Sequence, residues 1–310
     1  MKSVRGVTAI VAGAATLILA ACGSSSNPTS TGGGAGAGGS KAPSDTIVVG
    51  SANFQENVVL ADIYAEALKA KGVKVSTKLN IGSRETYIPA LKDGSIDLIP
   101  EYSGVLLQYF DKSATAVSSD EVLAALQKAV TPPLTVLDQS QAQDKDAIVV
   151  TKATADKYHL TSIADLQAVA GKLTLGGPPE FETRTDGVPG LKKVYNVTFK
   201  TFRKLDAGGP LTENGLKNGQ IDAGDIFTTD PLIAKNGWVV LADPKNLYTA
   251  QNVLPLINSS KASDTVKSAL SAVSAKLTTD DLVSLNEKVQ LNKQDPDAVA
   301  KQWLSDAGLG

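Results

Sequence analysis

Two short stations in the chain, Tyr102-Ser103 and Phe227-Thr228, each set an aromatic ring beside a hydroxyl. Each stands five residues after a nearly identical heptapeptide, Leu91–Asp97 (LKDGSID) and Leu216–Asp222 (LKNGQID), which lie 125 residues apart. Rings and hydroxyls hold a small molecule; they do not break its bonds without a base, a metal or a cofactor. The chain offers little of that kind. Its single histidine, His159, follows Lys157-Tyr158 and reads as a solvated side chain. Its single cysteine excludes an intrachain disulfide and cysteine metal cages. Nucleophile elbows, phosphate-cradling glycine loops and metal-ligand spacings are absent from the sequence. Asp97 and Asp222, at matched strand ends, read as turn caps rather than acid–base groups. The expectation is a binding protein, not an enzyme, with no cofactor and no metal.

The elements that must present these stations repeat with them. Ile47–Gly50 runs into Asn53-Phe54, and Leu173–Gly176 runs into Glu180-Phe181. Val73–Leu79 alternates and leads to Asn80-Ile81-Gly82-Ser83; Val197–Leu205 alternates and leads to Asp206-Ala207-Gly208-Gly209. A period this long gives two lobes rather than a solenoid. Within the first, the pattern predicts a strand over 46–49, a helix over 56–71 with Leu60, Ile63, Tyr64, Ala67 and Leu68 on one face, a strand over 73–79, a helix over 86–92 and a strand over 96–99. Strand, helix, strand with short connections is the signature of a parallel sheet, whose ligands collect beyond the carboxyl ends of the strands. The tail, 263–310, reads as helices that pack back on the first lobe. Two crossings, near Ala147–Val150 and Asn252–Leu256, then form a hinge with the ligand between the lobes.

Composition agrees. The 310 residues carry a net charge of −2, which argues against holding nucleic acid by charge. At 42% apolar and 20% charged, most of the chain can bury a core. The start is different. Lys2 and Arg5 precede an uncharged stretch, Gly6–Ala21, that reads as a secretory signal and is short for a membrane span. The lone cysteine follows in Leu19-Ala20-Ala21-Cys22-Gly23, which resembles the bacterial lipobox, and that resemblance implies a lipid on Cys22. Ser24–Ser44 is glycine- and serine-rich and reads as a flexible tether.

Beyond the repeat, Ile47–Phe54, Glu56, Arg84-Glu85-Thr86, Leu91–Asp97 and Pro100-Glu101-Tyr102-Ser103-Gly104 resemble the substrate-binding proteins of bacterial glycine betaine/choline/carnitine/proline ABC transporters. Pro179-Glu180-Phe181, Arg184, Asp186-Gly187, Pro189-Gly190-Leu191 and Phe227-Thr228-Thr229-Asp230 extend the resemblance to the second lobe. It implies an α/β, two-lobed periplasmic-binding-protein fold of type II, with two parallel-sheet lobes joined by a two-strand hinge. It implies capture of a small osmolyte for a membrane permease with a separate ATPase. The expected organisation is a signal over 1–21, a lipidated tether over 22–44, a first lobe from 45–147 and 254–310, and a second lobe over 148–253. The expected protein is a monomer, anchored through Cys22 on the outer face of the cytoplasmic membrane, with no nucleic-acid partner.

A quaternary ammonium head has no hydrogen to donate, so its best protein partner is a cage of aromatic faces. The resemblance implies ligand-binding roles for Phe54, Arg84, Tyr102, Phe181, Arg184, Phe227, Thr228, Gln251 and Asn252. Phe227 stands where the family usually has tyrosine. Tyr248-Thr249-Ala250-Gln251-Asn252-Val253-Leu254-Pro255 stands where the family often reads Pro-Tyr-x-Ala-Val-Pro, so Gln251 or Asn252 replaces a cage aromatic. Arg184 either forks onto a solute carboxylate or braces its loop against Glu180 or Asp186. Arg84 either faces the cleft or pairs with Glu85. Phe54 and Phe181 have a core reading beside the cleft reading. The thinner cage leaves an alternative ligand, a polar or hydroxylated aromatic small molecule that is not a quaternary amine.

Overall fold

The structure, a computed structural model, describes residues 45–310. The signal over 1–21, the tether over 22–44 and Cys22 lie outside the described residues. The first lobe is built from β1 (Ile47–Gly50), α1 (Gln55–Ala70), β2 (Val75–Lys78), α2 (Arg84–Lys92), β3 (Leu98–Tyr102), α3 (Ser103–Phe110), α4 (Ser119–Ala129) and β4 (Leu134–Val136). The second holds β5 (Asp146–Val150), α5 (Lys152–Tyr158), β6 (Thr174–Gly177), α6 (Val188–Tyr195), β7 (Thr201–Lys204), α7 (Pro210–Lys217), β8 (Ala223–Phe227), α8 (Pro231–Asn236) and β9 (Val239–Val240). The chain then returns through β10 (Val253–Asn258) to α9 (Asp264–Lys276), α10 (Thr279–Asn286) and α11 (Pro296–Asp306).

The two sheets have orders β2-β1-β3-β10-β4 and β7-β6-β8-β5-β9. Their first three strands are parallel, but β10 runs antiparallel to β3 and β5 antiparallel to β8. The sheets are therefore mixed, where the sequence pattern predicts parallel ones. The reason is topological. Parallel strands end at the cleft, whereas a strand that has just crossed between lobes begins there. Tyr102, ending β3, faces Val253, opening β10; Phe227, ending β8, faces Asp146, opening β5. Both aromatic stations thus sit where a lobe meets its crossing strand.

The repeat holds at atomic detail. Asp97 Oδ2 accepts from Val48 N at 2.8 Å, and Asp222 Oδ2 accepts from Thr174 N at 2.8 Å. A Cβ on Gly50 would lie 2.7 Å from Ile96 Cδ1, and one on Gly176 would lie 2.6 Å from Ile221 Cδ1, so each helix–strand turn packs directly on its sheet. Each aspartate thus ties its turn to the start of a distant strand, 49 and 48 positions earlier, rather than capping the turn locally as its sequence context suggests. The strand β3 starts at Leu98, beyond the pinned Asp97, rather than at Ile96.

The crossing segments pair with each other. Ser140 N donates to Val253 O at 2.8 Å, Val253 N to Ala142 O at 3.0 Å and Asp144 N to Gln251 O at 3.2 Å. A single antiparallel bridge joins Gln143 to Asn252. The first crossing therefore lies a few residues before Ala147, while the second lies at Gln251–Val253, and the lobe limits drawn at 147 and 254 fall inside β5 and β10. Helices α9 to α11 cover α1: Val266, Leu270, Val273, Leu282, Leu285, Trp303 and Leu304 share one core with Leu60, Ile63, Tyr64 and Leu68. Among the described residues, no helix is long and apolar enough to cross a membrane, and no group of three His, Cys, Asp or Glu side chains could hold a metal ion.

Candidate functional site

A cavity between the lobes is lined by Phe54, Arg84 and Tyr102 from one side and by Glu180, Arg184 and Phe227 from the other, with Asp144, Asp146 and Gln251 from the crossing strands. Three rings cluster in its wall. Phe54 lies 6.0 Å from Tyr102 and 4.9 Å from Phe227, centroid to centroid, tilted at 33° and 44°. Phe54 is placed by the loop between β1 and α1. In that loop Ala52 N donates to Asn57 Oδ1 at 2.7 Å, and Asn57 Nδ2 donates to Pro100 O at 3.0 Å, which ties the loop to β3. Phe227 is backed by Gly208, where φ is +57° and a Cβ would stand 2.9 Å from the ring. Only a residue without a side chain brings that loop so close in this conformation.

Both arginines line the cavity, and both are already engaged. Arg84 donates through Nε and Nη2 to the two oxygens of Glu101, each at 2.8 Å. Glu101 has no exposure, and it also accepts from Tyr87 Oη at 2.7 Å and from Tyr102 N at 3.0 Å. This is a fully satisfied buried pair, and it corrects the sequence alternative in which Arg84 meets Glu85. Glu85 is taken instead by Arg184, whose Nε and Nη2 reach it across the cleft at 3.0 and 2.9 Å. Arg184 thus braces the opposite lobe more closely than its own Glu180, 4.0 Å away. Partial burial pushes the Glu85 carboxyl up, but the Arg184 hydrogen bonds outweigh it and hold it at about 2.

With both guanidinium groups paired, the remaining charges in the cleft are acidic. Asp144 and Asp146 open the second lobe, and Asp186 and Asp225 lie buried behind them. Burial and the charge of Asp186 raise Asp146 to about 6. Burial and the charges of Asp146 and Asp186 push Asp225 well up; its Oδ1 and the Tyr248 hydroxyl are buried without hydrogen-bond partners among the described residues. Asp146 and Asp225 stand on one face of the sheet, diagonal across the β5–β8 ladder. Two carboxyls so placed cannot both ionise cheaply in a dry site unless a cation joins them.

Of the nine residues the sequence points to, Phe54, Arg84, Tyr102, Arg184, Phe227 and Gln251 converge on this cavity. Three do not line it. Phe181 sits in the core of the second lobe, 6.2 Å from Phe202 and stacked on it. The two copies diverge here: β6 continues into a short 3-10 turn, Pro179–Glu182, which turns Phe181 inward. Asn252 is a hinge residue, donating from Nδ2 to Ser140 O at 2.8 Å and from N to Ser103 Oγ at 3.0 Å, with Ser119 Oγ on its Oδ1. Thr228 faces the other crossing strand, accepting from Lys145 N at 3.0 Å.

Sequence reading missed Glu101, Asp144, Asp146 and the role of Glu85. One signal was available. By the 125-residue offset Glu101 corresponds to Ile226, so an acid occupies a position that its repeat fills with a core side chain. A charge at a core strand position requires a buried partner.

Two mixed-sheet lobes with an aromatic cavity at their crossing strands define a solute-binding protein of the type II periplasmic class. The chain belongs to the family described as the substrate binding domain of ABC-type glycine betaine transport systems, which matches residues 45–306. Its relatives include the carnitine transport binding protein OpuCC of Listeria monocytogenes, 26% identical over 267 residues, covering 84% of this chain and 86% of that protein. The ergothioneine transport permease/ergothioneine binding protein EgtU of Helicobacter pylori is 26% identical, covering 85% of this chain and 48% of that larger protein. A solved glycine betaine/carnitine/choline ABC transporter structure superposes with a TM-score of 0.67 at 23% identity, covering 85% of this chain and 99% of the other. Ligand-free YehZ of Escherichia coli gives 0.59 at 25% identity, covering 86% and 100%.

Proposed function

We propose that this protein captures a small solute with a quaternary ammonium head, of the glycine betaine, choline or carnitine type, and delivers it to the permease of an ABC importer. The observation that carries this reading is the cluster of Phe54, Tyr102 and Phe227 beside Asp144 and Asp146, carboxyls to which neither cleft arginine hydrogen-bonds. Aromatic faces attract such a head at about 0.5–2 kcal/mol each, and Asp146 supplies counter-charge. The protein performs no reaction on its solute. It works as a monomer, held on the outer face of the cytoplasmic membrane by a lipid on Cys22, and passes its cargo to permease and ATPase subunits.

Arg184 sets a further condition. A solute carboxylate must compete with Glu85 for it, so a head that is cationic overall is favoured over a zwitterion. A second reading, a polar or hydroxylated aromatic ligand that is not a quaternary amine, draws on the Gln251 amide in the cavity wall. Calorimetric titration of the purified protein with choline, glycine betaine, carnitine, proline and neutral hydroxylated aromatics tests both. Micromolar binding of a quaternary amine supports the first reading. Silence from every amine with binding of a hydroxylated aromatic replaces it with the second.

A further inference from the structure

Next to the rings, one carboxylate ties three parts of the molecule together. Glu56, in the first turn of α1 and 3% exposed, accepts from Tyr102 Oη at 2.7 Å, from Asn286 Nδ2 at 2.6 Å and from Thr229 Oγ1 at 2.5 Å. Tyr102 and Asn286 belong to the first lobe; Thr229 belongs to the second. Asn286 Nδ2 also reaches Thr229 Oγ1 at 3.0 Å and Thr229 O at 3.3 Å. The crossing residue Asp144 grips the same segment, accepting from Thr229 N at 3.1 Å and Thr228 Oγ1 at 3.2 Å.

Thr229 is two residues beyond Phe227. The carboxylate that orients the ring of Tyr102 is therefore the one that docks the strand end carrying Phe227. We infer that Glu56 and Thr229 form a closure latch: Glu56 is a positioning residue that brings the Tyr102 and Phe227 faces into register only when the lobes close. The inference rests on the cleft being the solute site.

The chemistry of the network fits this role. Burial pushes the Glu56 carboxyl up, and the donors from Thr229, Tyr102 and Asn286 oppose that push. Burial and the charge of Glu56 push the Asp144 carboxyl up strongly. When the lobes open, Glu56 loses its Thr229 donor but keeps its two first-lobe partners. The free lobe is thus prepared for closure, and the Thr229 hydroxyl is the donor that Glu56 gains only in the closed state.

Thr229→Val removes that hydroxyl at nearly constant shape, and Thr229→Ser keeps it. The purified variants are compared by choline and glycine betaine titration, by stopped-flow dissociation and by small-angle X-ray scattering without solute. The expected result is about 5–10-fold weaker binding for Thr229→Val, through faster dissociation, and a larger radius of gyration. Thr229→Ser restores both. Unchanged affinity and scattering in Thr229→Val, or equal losses in both variants, overturns the latch. If the wild-type protein binds neither solute, the functional reading fails on its own. Scattering then decides the latch: a Thr229→Val protein as compact as wild type overturns it.

Discussion

Glu85 of α2 and Arg184 of the second lobe form a two-bond ion pair across the mouth of the cleft, at 3.0 and 2.9 Å. The Glu85 side chain is 47% exposed, so solvent screens the pair and its contribution is small, about 0–1 kcal/mol. Glu85→Gln is expected to weaken solute binding by less than about fivefold, and the loss should shrink in high salt. Titration at two salt concentrations checks both statements. The Glu85 carboxyl is depressed in the folded state, so its contribution is present above the unfolded value near 4.5 and is lost as pH falls toward about 2.

Tyr102 and Phe227 differ from Phe181 in place. Tyr102→Ala or Phe227→Ala removes a face of the cavity and should weaken quaternary-amine binding about tenfold or more. Phe181→Ala empties a core site instead, at a cost of about 3–5 kcal/mol. It should lower the melting temperature while leaving the affinity of the folded protein unchanged. Calorimetry and thermal unfolding on the three variants separate cleft from core.

Asp146 makes binding of a cation depend on pH. Its carboxyl is raised to about 6, chiefly by burial. Without ligand, its favourable contribution to folding is full below the unfolded value near 3.8 and is lost as pH rises through about 6. A bound cation favours the ionised form, so choline affinity should rise from pH 4 to pH 7. Glycine betaine, neutral overall, should show a shallower slope. Asp146→Asn should flatten the choline profile, and an unchanged profile in that variant would remove Asp146 from the site.

The Arg84–Glu101 pair behaves oppositely to Glu85–Arg184 because it is dry. Arg84 is 6% exposed and Glu101 not at all. Glu101→Ala strands the guanidinium and two further donors, Tyr87 Oη and Tyr102 N. A destabilisation of about 3–5 kcal/mol is expected in denaturant unfolding. Binding in the surviving folded fraction should also weaken, because Tyr102 loses a backbone anchor.

Much of this arrangement was legible along the chain. The heptapeptides at Leu91 and Leu216, with an aromatic five residues beyond each, locate the strand ends that meet the cleft. The α1 stripe of Leu60, Ile63, Tyr64 and Leu68 and the tail stripe of Val266, Leu270 and Val273 give helices from periodicity alone. Local rules suffice there, because a helical face is set by residues a few positions apart. The repeat was less reliable where the copies differ in length of turn. It matched Phe181 with Phe54, yet a short 3-10 turn sends Phe181 into the core.

The partners of the charged residues were not legible. Arg84 meets Glu101, seventeen positions away, rather than the adjacent Glu85, and Glu85 meets Arg184, ninety-nine positions away. Glu56 joins Thr229 and Asn286 from opposite lobes. The sequence by itself determined two similar α/β lobes, their helices and strands, and the aromatic stations at their strand ends, since these follow from short-range periodicity and turn chemistry. Only the tertiary structure decided which acid neutralises which arginine, and hence the acidic balance of the cavity. Those pairings form when two crossing strands bring distant surfaces together, and the low dielectric between the lobes then makes each charge depend on its nearest partner.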